Sequence, residues 1–204
     1  MKRGTYIVIE GLDGSGKTTQ HQRVLEHIGT SALGVREPGG TPMAEQLRTL
    51  IKDKTVPRSA RTNVFLFSAA RVELIDTIVR PAIHKGQHVV ADRNWLSTIA
   101  YQSAEGVKNE DEIYKLCKLA TEEFFEPDLL IFIDTDVSTC RARLKARADT
   151  ATDYFDELGS DYFAKVRNAY LAHIKKLPRY QIIDGNGTPD QVARQITTVL
   201  QPLL

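Results

Sequence analysis

Residues Gly11-Leu12-Asp13-Gly14-Ser15-Gly16-Lys17-Thr18 satisfy every fixed position of the phosphate-cradling pattern G-x-x-x-x-G-K-[ST]. The pattern works only between a strand and a helix, and both signals flank it. Tyr6-Ile7-Val8-Ile9 is a short β-branched run suited to a buried strand, the first strand spanning roughly Thr5 to Glu10. From Thr19 to Ile28, Val24, Leu25 and Ile28 fall on one helical face. Glycines let the backbone wrap an anion at φ values other residues avoid, and the helix N-terminus adds N–H groups and a positive dipole end. Lys17 is expected to reach the β- and γ-phosphates of a nucleoside triphosphate, and the Thr18 hydroxyl to ligate Mg²⁺.

Beyond this loop, apolar β-type runs alternate with helical patterns, which predicts a parallel sheet covered on both faces. Further strands are expected at Leu33–Arg36, His88–Asp92, Leu129–Asp134 and Tyr180–Ile183. Helices are expected from Thr41 or Pro42, from Ser59 to Val79, and over Trp95–Glu105, Asp111–Phe124, Val137–Ala146, Asp156–Lys176 and Pro189–Leu200. The Ser59–Val79 helix carries apolar residues all around, so part of it lines a pocket or meets another subunit. In such sheets ligands bind at the carboxyl ends of the strands.

The chain's 204 residues suit one α/β domain. Lys+Arg 27 against Asp+Glu 26 leaves no global field pointing to nucleic acid or a membrane surface, so local arginines must hold any polyanion. Cys117 and Cys140, at no metal-ligand spacing, read as reduced core thiols of a cytosolic protein. The apolar run after Met1-Lys2-Arg3 is too short for a signal peptide, and no later stretch approaches a membrane span.

Asp92-Arg93-Asn94 ends the third strand, where a metal-supporting carboxylate must lie if it is to face the Mg²⁺ of the first loop. Arg93 projects into the same crevice, and a phosphate is the obvious partner for its planar fork of donors. A helix-capping Asp beside a solvated Arg is the alternative, which the upstream loop disfavours. No N-K-x-D base-recognition motif occurs, and the D-x-x-G at Asp184–Gly187 follows the last strand, far from a switch loop. Motor ATPases pair the loop with two adjacent acidic residues, whereas only Asp92 is present. A small-molecule phosphotransferase fits best.

Over essentially its full length the chain resembles the thymidylate kinase (dTMP kinase) family. The matching segments are the phosphate loop through Thr19, Arg36-Glu37-Pro38-Gly39-Gly40-Thr41, Phe67-Ser68-Ala69-Ala70-Arg71, Asp92-Arg93 with Ser97 and Thr98, Ala100-Tyr101-Gln102, and Pro127-Asp128-Leu129. The resemblance implies the P-loop nucleoside monophosphate kinase fold, a five-stranded parallel sheet with helices on both faces and a mobile lid, here about 141–156. It implies ATP and Mg²⁺ as requirements, dTMP as acceptor, a homodimer and a cytoplasmic enzyme. By similarity, residues 11–19 hold ATP, and Asp13 accepts a hydrogen bond from the sugar 3′-hydroxyl. Phe67 stacks on thymine and Arg71 donates to a thymine carbonyl. Arg36, Arg48 and Arg93 surround the monophosphate, and Glu37 and Pro38 belong to the dTMP site. Ser97, Thr98, Tyr101 and Gln102 form a stripe facing the nucleoside, Tyr101 favouring deoxyribose. For Phe67 a plain core position is the alternative, for Arg48 an exposed helix face, and for Ser97 and Gln102 a polar helix surface.

Family members differ in where they keep a catalytic arginine. Position 14 is Gly, so the lid must supply it, as in bacterial-type members. Arg147 is the expected donor–acceptor bridge and Arg143 the expected adenine partner. Two departures stand out: Asn94 where the family most often has an aromatic or His, and Tyr154 where many bacterial relatives have Arg. The rivals to this reading are a kinase for another nucleotide or a deoxynucleoside, and a regulatory subunit that binds ATP without transferring phosphate.

Overall fold

The computed structural model describes residues 3–53, 55–107, 109–146 and 159–203. Five strands form one wholly parallel sheet: β1 (Tyr6–Gly11), β2 (Ala32–Arg36), β3 (His88–Asp92), β4 (Leu129–Asp134) and β5 (Tyr180–Asp184). Their spatial order is β2-β3-β1-β4-β5. The central strands are apolar at nearly every position because helices cover both faces. Tyr6 and Val8 of β1 face one core with Leu130 and Phe132 of β4; Ile7 and Ile9 face the other with Leu129, Ile131 and Ile133.

The second core is closed by α1 (Lys17–Ile28) and α9 (Pro189–Leu200). Helix α9 starts on a full capping box, the Thr188 hydroxyl and Gln191 side chain each taking the other's backbone N–H. The first, larger core is closed by α3 (Ala60–Leu74), α5 (Trp95–Ala104), α6 (Glu110–Thr121) and α8 (Ser160–Ile174). Helix α2 (Pro42–Lys52) packs on α3, and α7 (Val137–Ala146) on α8.

Two boundaries differ from the sequence reading for physical reasons. The helix expected to end at Val79 continues through a π turn, Ile75–Val79, into α4 (Arg80–His84). Pro81 has no N–H to continue an α ladder; the widened turn, in which the Arg80 N–H reaches Ile75 O, lets the axis run on. The helix expected over Asp111–Phe124 ends as α at Thr121, because Glu122 turns to φ 48 and a 3₁₀ turn carries Phe124 and Phe125 into the core. The helix expected from Asp156 is described from Ser160 onward.

Candidate active site

A cleft of about 440 Å³ opens where β1, β2 and β3 end at their carboxyl edges. Its floor is the β1–α1 loop. Gly14 holds φ 82 and Gly16 φ 95, both left-handed. A Cβ on Gly14 would lie 2.4 Å from Cys140 O, so only glycine lets the loop seat against α7. Lys17 folds over this loop, its Nζ donating to Leu12 O at 2.7 Å and lying 3.7 Å from Asp13 Oδ1. Burial and the neighbouring Arg93 charge lower the Lys17 ammonium, opposed by Asp13, Asp92 and Glu10.

Arg93 is the centre of the site. Its backbone takes φ 77, uncommon for a residue with a side chain, with its N–H on Ile9 O at 3.0 Å. That turn sends the guanidinium back beneath β1. There Nη2 donates to Asp13 Oδ1 and to Tyr101 Oη (3.3 Å), while Nη1 donates to Ser97 Oγ (2.9 Å) and Tyr170 Oη (3.1 Å). Below lies Glu10, fully buried, accepting from the Asn94 and Ser97 N–H groups and the Ser97 and Tyr170 hydroxyls. Burial raises the Glu10 carboxyl, with Arg93 the largest opposing influence. Burial acts in the same direction on Asp13, but Arg93, Lys17 and the Tyr101 hydroxyl together hold that carboxyl well below the usual range. Arg93, in turn, is held firmly charged: burial disfavours the guanidinium, but Asp13 and the tyrosines outweigh it.

On the α3–α5 side Arg71 is almost wholly buried, its Nε donating to Glu37 Oε2 at 2.6 Å and its Nη2 to Thr98 Oγ1 at 2.9 Å. Glu37 stands in the loop after β2, whose Glu37–Pro38 peptide is cis. Phe67, one helical turn before Arg71, and Gln102, one turn after Thr98, line the same wall. Phe65, two residues before Phe67, is 54 % exposed and does not border the cleft.

Among the sequence-derived candidates, Asp13, Gly14, Gly16, Lys17, Thr18, Arg36, Glu37, Pro38, Arg48, Phe67, Arg71, Asp92, Arg93, Ser97, Thr98, Tyr101 and Gln102 all border this one cleft. Gly11, Leu12, Ser15 and Thr19 do not; Leu12 is buried in the core and Thr19 is exposed on α1. Arg36 is taken up by Glu45, both carboxylate oxygens accepting from Nη2 (2.9 and 3.0 Å), and Arg48 donates to Pro38 O. Arg143 lies off the cleft and donates to Gly185 O and Gly187 O, stapling α7 to the β5–α9 loop. Arg147 and Tyr154 lie outside the described residues.

Sequence reasoning missed Glu10 and Tyr170. A carboxylate closing an apolar strand just before the phosphate loop was the available signal for Glu10, whereas Tyr170 sits in an ordinary helical pattern with none. Asn94 caps α5 through Oδ1, accepting from Leu96 N at 2.8 Å, and leaves a buried Nδ2 at the cleft without a partner among the described residues.

The donor set also bears on a divalent cation. Asp92 Oδ2 accepts from Thr18 Oγ1 at 3.0 Å, while its buried Oδ1 has no partner among the described residues. Among the described residues no cluster of three or more His, Cys, Asp or Glu side chains could hold a metal by itself. A hydroxyl, an orphaned carboxylate oxygen and incoming phosphates are the hard oxygen donors that Mg²⁺ takes.

A phosphate loop at the central strand, with a carboxylate and an arginine from the neighbouring strand lining the same cleft, defines the site of a P-loop phosphotransferase. The thymidylate kinase family model matches residues 9–196. Two thymidylate kinases similar in sequence come from Thermosipho melanesiensis (36 % identical, covering 98 % of each chain) and Buchnera aphidicola (38 %, covering 94 % of this chain and 92 % of the relative). Solved thymidylate kinases from Ehrlichia chaffeensis (TM-score 0.78, 27 % identity, covering 98 % of this chain and all of that one) and Candida albicans (0.82, 26 %, 98 % and 92 %) share the fold. The chain belongs to the thymidylate kinase family, whose reaction is ATP-dependent phosphorylation of dTMP to dTDP.

Proposed function

We propose that the cleft carries out ATP + dTMP ⇌ ADP + dTDP with dTMP lying between Phe67, Arg71 and Arg93, opposite a triphosphate at Gly11–Thr18. The observation that supports this reading best is the single cleft lined by Lys17 and Arg93 at one end and by Phe67 and the Arg71–Glu37 pair at the other. The acceptor phosphate has its second pKa near about 6, so it is already largely ionised at neutral pH and needs no strong base. Catalysis is then positioning and charge neutralisation. Lys17 and Arg93 supply fixed positive charge, Asp13 orients the sugar and Arg93 together, and Tyr101 closes on the sugar. Thr18 and Asp92 are the residues to hold Mg²⁺, which when bound neutralises phosphate charge. Arg147, in a lid of about 141–156 belonging to a single kinase domain, is the further charge assigned to the transferring group. Arg143 and the Gly185–Gly187 backbone form the adenine end.

A panel of nucleoside monophosphates and deoxynucleosides with ATP and Mg²⁺ tests the reading. dTMP is expected to be the preferred acceptor; preference for another acceptor, or tight ATP binding without transfer, contradicts it. Phe67→Ala is expected to raise the KM for dTMP by about 10-fold or more, the scale of one lost base–aromatic stack, with turnover far less affected. An unchanged KM returns Phe67 to the core.

The same reading includes a homodimer built on α3 and α6. These helices pack together, and Phe65, Val72 seven residues on, and Leu119, 74 % exposed, place large apolar groups on the surface. Phe65→Asp combined with Leu119→Asp is expected to elute as a monomer in light-scattering chromatography; an intact dimer removes this face. Cytoplasmic residence is consistent with Cys117 and Cys140, free buried thiols pushed up to about 11 mainly by burial. Among the described residues no helix is long and apolar enough to cross a membrane.

A further inference from the structure

Two buried polar atoms on the α3–α5 wall have no partner among the described residues: Arg71 Nη1, a donor, and Gln102 Oε1, an acceptor. Buried groups left this way cost free energy unless a ligand meets them. The two are neighbours, since Arg71 Nη2 donates to Thr98 Oγ1 and Gln102 follows Thr98 by one turn of α5. A thymine or uracil ring presents them with an acceptor at O4 and a donor at N3–H. Cytosine presents the reverse, an amino donor at C4 and a bare N3. The match holds only while Gln102 turns its oxygen to the cleft, and an amide can turn either way.

Its neighbour decides which. Gln102 Nε2 donates to Glu105 Oε2 at 3.3 Å, and an ionised carboxylate only accepts. We propose that Glu105, which touches no substrate, is the positioning residue that fixes the Gln102 amide and so sets this site's preference for a 4-oxo over a 4-amino pyrimidine. The inference rests on the base-site reading above. Asn63 and Arg58 act on Glu105 from the other side. Arg58, which can only donate, bonds Asn63 Oδ1 at 2.7 Å, so the Asn63 amide nitrogen is the donor free for the Glu105 side, where Glu105 Oε1 is buried with no partner among the described residues. Arg58 is anchored in turn on the carbonyls of Ile51, Asp53 and Val56. The bonds from Arg58 to Asn63 and from Gln102 to Glu105 therefore each have one direction. Burial raises the Glu105 carboxyl, with Gln102, Asn63 and Arg58 each opposing the rise.

Glu105→Gln keeps the shape but can donate as well as accept, so it no longer dictates how Gln102 sits; Glu105→Ala removes the partner. The kcat/KM values of the full-length protein for dTMP, dUMP and dCMP are measured with ATP and Mg²⁺. In both variants the dTMP-to-dCMP ratio is expected to fall by about 10-fold or more, the scale of one polar mismatch relieved. The dTMP-to-dUMP ratio is expected to hold, because those bases present the same edge. An unchanged dTMP-to-dCMP ratio, or an equal loss on all three substrates, overturns the role of Glu105. A wild-type protein that does not distinguish dTMP from dCMP overturns instead the base-site reading on which it rests.

Discussion

Arg93→Ala is expected to lower kcat with dTMP by about 10³-fold or more, the scale of losing a guanidinium from a phosphoryl-transfer site. The loss is not of one contact. In the resting protein this side chain bonds Asp13, Tyr101, Ser97 and Tyr170, lies 3.8 Å from Glu10, and so ties these five groups together. Arg93→Lys should recover little, because a single ammonium cannot span the two sets of partners that Nη1 and Nη2 reach. Stability carries a second signature. In the wild type Asp13 has a folded-state pKa below its unfolded value, so its contribution is present at neutral pH and disappears only as pH falls through the folded pKa. Without Arg93 the largest influence opposing burial at both Asp13 and Glu10 is gone, and their folded-state pKa values rise. The variant's native state then gains protons on acidification, and the Tm gap to wild type should narrow between neutral and mildly acidic pH. A gap that widens, or a kcat within a few-fold of wild type, contradicts this placement of Arg93.

Arg71→Ala should do a different kind of damage. Arg71 and Glu37 form a buried pair, their side chains 1 % and 4 % exposed. Removing one member leaves an uncompensated buried carboxylate, typically costing about 3–5 kcal/mol. At about 2–4 °C per kcal/mol for a chain this long, Tm should drop by about 6–20 °C. The lost charged hydrogen bond to the base should also cost about 10–100-fold in kcat/KM for dTMP. The two effects separate in the double variant Arg71→Met with Glu37→Gln, which removes both charges: thermal stability should largely return, dTMP recognition should not. Recovery of both together, or of neither, argues against Arg71 as a base-reading donor held by Glu37.

What could be read from the sequence was what is encoded locally. The phosphate loop, and Asp92-Arg93 at the end of an apolar run, announce themselves because the chemistry and the strand–turn–helix geometry share a few consecutive residues. Ser97, Thr98, Tyr101 and Gln102 were legible as one stripe because helical spacing is local too. Their partners were not. Tyr170 reaches Arg93 and Glu10 from a helix about 160 residues beyond β1, and no spacing rule connects them. Arg36 read as a phosphate ligand, and only three dimensions show Glu45 already gripping it. The π turn before Pro81 was hidden for a related reason: the sequence shows a helix breaker, while the compensating widened turn, with Arg80 N–H on Ile75 O, is visible only in the folded backbone.

The most direct test of the central placement is a crystal structure of the protein with dTMP and a non-hydrolysable ATP analogue. It should show the thymine ring against Phe67 with O4 on Arg71, the monophosphate on Arg93, and the triphosphate wrapped by Gly11–Thr18. A dTMP bound elsewhere, with Phe67, Arg71 and Arg93 turned away from it, would contradict the account.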